Sequence, residues 1–388
     1  MTVINMKIPF NKPYSSEKEI EYITDAINRG EISGDGYYTN LVSTMLKENS
    51  GAKEVFLTTS ATHALEMAAM VIDLKDGDEV IMPSFTFPST ANSVLLKGAK
   101  PVFAEIYEDT LNMNIEDLEK KITERTKAVI PVHYGGISCK MDSIMAIAEK
   151  NNLYVIEDAA QGVHAKYQGR ELGTWGHFGC YSFHGTKNYS SGEGGALLIN
   201  TDCPNIIERA DIIRQKGTNR TRFNKGEIEQ YMWVDVGSSY LPSDILMAFL
   251  YAQLSNMEQI TMKRKCIYDY YSHHLAKFEE GGLIRLPHLP ACCQPNYHIY
   301  YIVFNNKKNR DYALSKLRTK GINAATHFFP LHSSPMGSKL GYEISDLPIT
   351  QSISERQMRL PIYPSISVPQ LEYIVGNLEE ILNDMKGL

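Results

Sequence analysis

One stretch of this sequence combines a short apolar strand with a lysine just beyond its end: Cys180-Tyr181-Ser182-Phe183-His184-Gly185-Thr186-Lys187. It is followed by a glycine-rich turn, Gly192-Glu193-Gly194-Gly195, and glycine allows close approach of neighbouring backbone. Most lysines are solvated surface charges, but this one stands between an apolar run and a turn of that kind. We therefore predict that Lys187 is a functional amine at the edge of a β-sheet.

Short apolar runs rich in β-branched residues continue on both sides of this stretch and alternate with segments of helical period. In one such segment, Leu65, Ala68 and Ile72 share a helix face. Alternation at this spacing predicts β-α units, and hence an α/β fold with a large, mainly parallel seven-stranded sheet. The predicted strands span residues 54–57, 79–82, 101–103, 128–132, 153–156, 180–183 and 196–199.

The length of 388 residues exceeds the size at which a single hydrophobic core stops growing, so we expect more than one unit. Near the N-terminus, Ser16 can cap a helix. Its apolar stripe would consist of Ile20, Ile23 and Ile27. The three predicted parts are an N-terminal arm (1–30), a large domain with the Lys187 site (31–255) and a small C-terminal α+β domain (256–388).

Composition and charge exclude several classes of protein. The chain is 43% hydrophobic and 22% charged with a formal net charge of −6, which argues against nucleic acid or an anionic membrane as a partner. Six cysteines form no C-x-x-C pair and no Cys/His cluster of zinc spacing, so no metal is expected. No apolar run has the length of a membrane span. We expect a cytoplasmic protein with reduced thiols.

A carboxylate follows another predicted strand. Asp158 comes after four mainly apolar residues, and a buried carboxylate is costly without a cation or hydrogen-bond donors. A protonated pyridine nitrogen would supply the cation, and the amine of Lys187 would condense with an aldehyde, so the pair predicts pyridoxal 5'-phosphate. Gln161 lies within reach of the same ligand. The alternatives for Asp158 are a helix cap or an ion pair with an arginine.

Three other segments offer contacts to such a cofactor. Ser60, Ala61 and Thr62 open a predicted helix, whose free N–H groups and dipole suit a phosphate, although a plain cap at Ser60 is the alternative. Phe87 could hold the flat ring, or it could belong to the core. His184 could touch the phosphate, orient the lysine loop or make a purely structural hydrogen bond.

With these residues assembled, the sequence resembles the DegT-like family of sugar-nucleotide aminotransferases, which have the aspartate-aminotransferase (fold type I) structure. The resemblance covers nearly the whole chain. A nicotinamide-dependent enzyme is a poor alternative, because no G-x-G-x-x-G follows the first strand. The motifs that carry it are Gly34-Asp35-Gly36, Thr59-Ser60-Ala61-Thr62, Pro83-Ser84-Phe85-Thr86-Phe87, Glu157-Asp158-Ala159-Ala160-Gln161, Ser182-Phe183-His184-Gly185-Thr186-Lys187, Gly192-Glu193-Gly194-Gly195 and Pro330-Leu331-His332.

The resemblance implies a role for each candidate residue. Lys187 would bind the cofactor covalently, Asp158 would pair with its pyridine nitrogen and Gln161 would contact the ring region. Phe87 would stack on the ring. The family works as a homodimer with its active sites at the interface, and Ser239 stands where many relatives have an asparagine that reaches the partner's phosphate. The implied phosphate contacts are Ser60, Ala61, Thr62 and Ser182.

The resemblance also implies a reaction. Finer markers, such as Lys216-Gly217-Thr218-Asn219-Arg220, are similar to members that convert dTDP-4-keto-6-deoxyglucose to dTDP-4-amino-4,6-dideoxygalactose for enterobacterial common antigen. The donor would be L-glutamate, and the amine would pass to C4 of the nucleotide-linked hexose. Lys187 argues against the relatives that dehydrate sugars, which carry histidine there. Candidates for sugar-nucleotide contact are His327, Phe329 and His332.

Three alternatives to this reaction remain open. The enzyme could produce the gluco configuration at C4. It could aminate C3 instead of C4. The chain could also be a regulatory relative without turnover, although the presence of both Asp158 and Lys187 argues against that reading.

Overall fold

The structure is a computed structural model and describes residues 6–386. Thirteen strands are present in that range, and they form three sheets. The strands are β1 Glu54–Thr58, β2 Glu79–Pro83, β3 Lys100–Ala104, β4 Thr126–Val129, β5 Tyr154–Asp158, β6 Lys166–Tyr167, β7 Arg170–Glu171, β8 Phe178–Ser182, β9 Gly195–Ile199, β10 Ile284–Arg285, β11 Cys293–Gln294, β12 Tyr300–Phe304 and β13 Gln357–Leu360.

The central sheet has seven strands in the order β1-β9-β8-β5-β4-β2-β3, so all seven predicted strands are confirmed. Six of them run parallel, and β9 runs antiparallel to both of its neighbours. Gly195, at the start of β9, lies opposite Thr58 at the end of β1 and opposite Ser182 at the end of β8. The ends of β1, β8 and β5 therefore meet at one edge of the sheet.

Helices cover both faces of this sheet. The predicted stripe of α3 is buried: Leu65 and Ala68 lie within the helix and Ile72 directly follows it. This helix packs on β8 and β9. No helix within residues 6–386 combines the length and apolar character needed to cross a membrane. The helices are α1 Lys18–Arg29, α2 Tyr37–Ser50, α3 Ala61–Val71, α4 Pro88–Leu95, α5 Ile115–Lys120, α6 Met141–Lys150, α7 Pro204–Arg214, α8 Arg220–Asn224, α9 Asp244–Leu254, α10 Met257–Glu280, α11 Lys307–Thr319, α12 Pro335–Lys339, α13 Pro348–Arg356 and α14 Val368–Lys386.

A second core lies in the C-terminal part of the chain. The antiparallel sheet β10-β12-β13 packs with α10, α11 and α14 around buried residues such as Tyr271, Tyr300 and Leu378. Helix α10 contributes Ile260 to the core of the central sheet and Ile267 to this second core. The division predicted between residues 255 and 256 falls just before that shared helix and stays a prediction.

The N-terminal segment differs from expectation on one point. Helix α1 forms as predicted, and Ser16 Oγ accepts a hydrogen bond from the N–H of Lys18 at 3.3 Å. Of the predicted apolar stripe, Ile20 and Ile27 are 72% and 55% exposed, whereas Ile23 packs against the core of the central sheet. Glu19 and Ala26 are the buried residues of this helix. Residues 1–5 of the predicted arm and 387–388 of the predicted small domain lie outside the described residues.

Candidate active site

A cavity of about 760 Å³ opens where the ends of β1, β5 and β8 meet. Side chains from the C-terminal part of the chain complete its wall, among them Arg264, His298 and Arg359. Ten of the thirteen residues predicted to bind cofactor or substrate line it: Ser60, Ala61, Thr62, Phe87, Asp158, Gln161, Ser182, His184, Lys187 and His327.

Lys187 lies on the loop that joins β8 to β9. The loop is held by backbone hydrogen bonds, from Lys187 N–H to the carbonyl of His184 at 2.9 Å and from Gly185 N–H to the carbonyl of Gly192 at 2.8 Å. Burial lowers the pKa of the Lys187 amine to about 8, the charge of Asp158 opposes this effect and the charge of Arg359 adds to it. The amine is therefore much easier to deprotonate than an ordinary lysine.

Asp158 ends β5 and is buried. Its Oδ2 accepts a hydrogen bond from Thr90 Oγ1 at 2.7 Å, and its Oδ1 accepts one from the N–H of Ala160 at 3.2 Å. No lysine or arginine within the described part of the chain forms an ion pair with it. A buried carboxylate held only by neutral donors is suited to a cationic ligand atom such as a protonated pyridine nitrogen.

The start of α3 forms a site for an anion. Ser60 caps the helix, since its Oγ accepts a hydrogen bond from the N–H of His63 at 3.2 Å. A Cβ added to Gly195 would lie 2.3 Å from the carbonyl carbon of Ser60 and 2.5 Å from the nitrogen of Ala61, so β9 approaches this helix start as only glycine can. The hydroxyls of Thr62 and Ser89 meet at 2.7 Å beside it.

The aromatic and amide candidates occupy different positions. Phe87 precedes α4 and is 60% exposed at the cavity wall, whereas Phe85 belongs to the core. The Oε1 atom of Gln161 accepts a hydrogen bond from the N–H of Gly135 at 2.7 Å, which fixes this side chain at the wall. His184 is exposed, and its Nδ1 lies 2.9 Å from Thr186 Oγ1.

Three predicted residues do not line the cavity. His332 is fully buried, and its Nδ1 lies 2.8 Å from Ser84 Oγ, so this geometry offers no contact between His332 and a ligand in the cavity. Phe329 is 65% exposed and does not line the cavity, whereas its neighbour Phe328 does. Ser239 is exposed, and its backbone forms an isolated antiparallel β-bridge with Gln215.

The structure adds residues that sequence reasoning missed. His298 precedes β12, and its Nδ1 lies 2.9 Å from Asn188 Oδ1. Burial and then the charge of Lys187 hold the pKa of His298 well below its ordinary value, so the ring is neutral. Arg359 reaches the cavity from β13, a strand that the sequence analysis did not predict. A histidine directly before an apolar run was the available signal for His298.

Comparison with known proteins agrees with this geometry. Residues 13–379 match the model of the DegT/DnrJ/EryC1/StrS aminotransferase family. The chain belongs to this family. The spore coat polysaccharide biosynthesis protein SpsC of Bacillus subtilis is 31% identical over 97% of this chain and 98% of its own. A GDP-perosamine synthase of Escherichia coli O157:H7 is 29% identical over 97% of this chain and 99% of its own.

Among solved structures, Spr1654 of Streptococcus pneumoniae, a proposed sugar aminotransferase, has a PLP-form that superposes with a TM-score of 0.90 at 25% identity. The match covers 98% of this chain and 99% of that one, and a PMP-form is also known. The predictions of a fold type I structure, an aminotransferase and pyridoxal phosphate as cofactor are confirmed. This member of the family is a pyridoxal-phosphate-dependent sugar aminotransferase.

The lowered pKa of Lys187 gives a pH prediction for this enzyme. Only the neutral amine attacks an aldehyde, so we expect the rate at which the apo-enzyme binds pyridoxal phosphate covalently to rise about tenfold per pH unit below pH 8 and to level off above it. Stopped-flow absorbance from pH 6 to 10 measures this rate. The control is Nα-acetyl-lysine, whose side-chain amine has an ordinary pKa. A plateau reached only near pH 10 would contradict the buried environment of Lys187.

Proposed function

We propose that this enzyme transfers an amino group from L-glutamate to C4 of a nucleotide-linked 4-keto-6-deoxyhexose, converting dTDP-4-keto-6-deoxyglucose to dTDP-4-amino-4,6-dideoxygalactose for a cell-surface polysaccharide. The observation that carries the transamination is the presence of Lys187 and Asp158 in one cavity beside the start of α3. An aldehyde, a ring nitrogen and a phosphate need these three groups. The sugar is inferred from the resemblance of the finer sequence markers, and the nucleotide and the donor are carried over from the family.

Different residues of the cavity would hold different parts of the cofactor. Lys187 would anchor it covalently and Asp158 would keep the ring nitrogen protonated. The hydroxyls and N–H groups of Ser60 and Thr62 would bind the phosphate, helped by the helix dipole. Phe87, at the cavity wall, would cover one face of the ring. Bound there, pyridoxal phosphate supplies a carbonyl that exchanges amines and a ring that withdraws electrons from the carbon bonded to the amine.

Lys187 also moves the proton. With donor and cofactor bound, Nζ of Lys187 would be the free amine available to the donor's α-carbon. Its lowered pKa, about 8, lets Nζ accept the proton that leaves this carbon near neutral pH and then return it. The same atom serves the sugar half of the reaction in reverse order.

The sugar is expected at the wall formed by the segment after residue 325. Tyr134 Oη lies 2.6 Å from His327 Nδ1, and the His327 ring stacks on Phe328 with centroids 3.8 Å apart. Burial, and then the charge of Arg359, keep the pKa of His327 well below its ordinary value. A neutral ring is suited to hydrogen bonding with a sugar hydroxyl rather than to pairing with a phosphate.

A GDP-linked substrate is the second candidate, because GDP-perosamine synthases from two organisms are 29% and 30% identical to this chain over nearly its whole length. The two candidates differ in the base and in the configuration of the sugar. None of the residues that line the cavity specifies a purine or a pyrimidine by its chemistry.

We further propose that the enzyme works as a homodimer. Consecutive large apolar side chains are exposed on the segment after α8, where Met232 is 60% and Trp233 is 77% exposed. Exposed apolar clusters of this kind are typical of protein interfaces. Ser239 follows this segment and lies outside its own cavity, as a residue that serves the partner's phosphate would. A solution mass near 43.7 kDa, that of one chain, would contradict the dimer.

The experiment that tests the function supplies L-glutamate with either dTDP-4-keto-6-deoxyglucose or a GDP-linked 4-keto-6-deoxyhexose and determines the product by NMR. We expect amination at C4 of the dTDP-sugar with the galacto configuration. Amination at C3, the gluco product or a strong preference for the GDP-sugar would replace the substrate assignment. Absence of turnover with either sugar would favour a regulatory relative.

A further inference from the structure

The ring of His298 has one nitrogen fixed by a hydrogen bond and one that is free. Its Nδ1 lies 2.9 Å from Asn188 Oδ1, and the Asn188 amide is itself oriented, because its Nδ2 donates to the carbonyl of Asn296 at 2.8 Å. A carbonyl oxygen only accepts, so Asn188 Oδ1 is the acceptor and Nδ1 of His298 carries a proton. Nε2 of His298 has no hydrogen-bond partner among residues 6–386.

The surroundings of His298 keep its ring neutral. Burial, and then the charges of Lys187 and Arg264, hold the pKa of His298 well below its ordinary value. Both arginines of the cavity wall donate to backbone carbonyls, Arg264 to those of residues 297 and 298 and Arg359 to that of residue 326. A neutral imidazole with its proton on Nδ1 can only accept a hydrogen bond at Nε2.

A second, much smaller cavity lies beside Lys187 and His298. Its volume is about 10 Å³, and its lining includes Ser182, Lys187, Asn188 and His298. This is about the space of one water molecule, and buried waters occupy sites that offer two to four polar partners. The amine of Lys187 has no hydrogen-bond partner among the described residues, so it and Nε2 of His298 are two such partners.

The orientation of the Lys187 amine matters for the proton transfer that the proposed function assigns to it. Nζ must direct its lone pair at the donor's α-carbon, and a free amine rotates about its bond to Cε. A neutral amine has two N–H groups, and an acceptor that holds one of them restricts this rotation. His298 is suited to this task, because the charge of Lys187 acts on it more strongly than that of any other group.

We propose that His298 is a positioning residue for Lys187, acting through one water in the small cavity that donates to Nε2 of His298 and accepts from Nζ of Lys187. The water lies on one side of Nζ and leaves the lone pair for the large cavity, where the donor binds. No bond is made or broken at His298, and the proton passes only between the donor's α-carbon and Nζ. The proposal rests on the proposed function for the identity of the donor, L-glutamate.

Two substitutions separate the roles of the two ring nitrogens. The amide of asparagine reaches the position of Nδ1, so His298→Asn keeps a donor to Asn188 but lacks the acceptor at Nε2. The longer side chain in His298→Gln places an amide oxygen near the position of Nε2. The variants are therefore matched in chemistry and differ in which nitrogen they replace.

The reaction of the holoenzyme with L-glutamate, followed by cofactor absorbance, tests the proposal. For His298→Asn we expect the rate constant to fall about tenfold to a hundredfold while the apparent Kd of L-glutamate changes less than about twofold. The isotope effect of α-deuterated L-glutamate should rise, because proton transfer then limits the rate more fully. His298→Gln should recover at least about fivefold in rate. His273→Gln, at an exposed histidine of α10, is the control and should behave as wild type.

Other results of this experiment overturn the proposal. A higher apparent Kd with an unchanged rate constant would assign Nε2 of His298 to substrate binding. A loss in His298→Gln but not in His298→Asn would show that only the bond to Asn188 matters. Wild-type rates in both variants would leave His298 no part in the proton transfer.

The apo-enzyme gives two readouts that need no donor. In ¹⁵N NMR of histidine-labelled protein, with the His298 signals assigned by their loss in His298→Asn, we expect a protonated Nδ1 and an unprotonated Nε2 from about pH 6 to about pH 9. The opposite tautomer, or protonation of both nitrogens in this range, would overturn the proposal. Covalent binding of pyridoxal phosphate should be about tenfold slower in His298→Asn than in wild type, since the attacking lone pair is less well directed.

The outcomes also separate this proposal from the proposed function. A wild-type holoenzyme that does not react with L-glutamate would overturn the donor of the proposed function. The NMR tautomer and the rate of covalent cofactor binding would still decide the role of His298, and an unchanged binding rate in His298→Asn would contradict it.

Discussion

Lys187→Ala should abolish transamination and the visible absorption band of the bound cofactor. The variant lacks the only amine that lies in the cavity within the described residues, so it has neither the covalent anchor nor the base that moves the proton. Loss of both functions should reduce the rate of either half-reaction by about 10⁴-fold or more. Absorbance of the purified protein and single-turnover kinetics with L-glutamate measure the two effects.

Two variants make this expectation specific. Lys187→Arg keeps a positive charge but cannot form the covalent bond, so it should be as inactive as the alanine variant. Lys53→Ala removes an exposed lysine that pairs with Asp202 at 3.0 Å at the opposite end of β1, and it should behave as wild type. Activity in Lys187→Arg within about tenfold of wild type would show that charge, not covalent chemistry, is the contribution of this residue.

The sheet could be predicted because its strands have a sequence pattern that is easy to recognise. Strands of a parallel sheet are buried on both faces, so they are continuous apolar runs, as in Glu79–Pro83. The direction of β9 could not be read from its own residues. Its signal lies in the connection, because residues 183–194 have no helical period, and parallel neighbours require a crossover, usually helical, whereas antiparallel neighbours do not.

The position of α1 shows a different limit. The spacing of its apolar residues predicted the helix, but this spacing cannot distinguish apolar side chains that pack on the core from those that stay exposed at the surface. Glu19 is buried because its carboxylate binds Ser16, whose N–H donates to it at 2.8 Å, and the side-chain amide of Gln253. The bond to Ser16 belongs to the S-x-x-E pattern of residues 16–19, but the bond to Gln253 joins α1 to α9 and is not specified by residues 16–29. With Glu19 held inward, Ile20 faces solvent.

The candidate site shows the same limit of sequence-based prediction. Asp158, Ser60 and Lys187 could be placed because each follows a strand of one sheet, and the ends of such strands converge. Arg359 could not be placed, because it comes from β13, far away in sequence, and its approach depends on how β10-β12-β13 packs against the central sheet. His332 was expected at the cavity but is buried outside its lining, where it is hydrogen-bonded to Ser84.

Asp158→Asn should leave the cofactor bound while slowing the proton transfer at the donor's α-carbon by at least about a hundredfold. Asparagine has the shape of aspartate, and Thr90 Oγ1 can still donate to its side-chain oxygen, so the fold of the site should persist. A neutral amide cannot keep the ring nitrogen protonated, and the electron-withdrawing power of the ring depends on that proton. Stopped-flow absorbance with L-glutamate measures the rate, and the cofactor content of the purified variant measures binding.

The same substitution has a second, independent consequence at Lys187. The negative charge of Asp158 raises the pKa of the Lys187 amine against the effect of burial, so removing that charge should lower this pKa below its present value of about 8. The pH at which covalent binding of pyridoxal phosphate levels off should then move down relative to wild type. Thr90→Val is the matched control, because it removes a donor to Asp158 but keeps the charge, and it should move this pH far less. If Asp158→Asn reacts with L-glutamate at nearly the wild-type rate, the charge of Asp158 does not act on the ring nitrogen. If this pH also does not shift, the charge does not act on Lys187 either, and Asp158 has neither role.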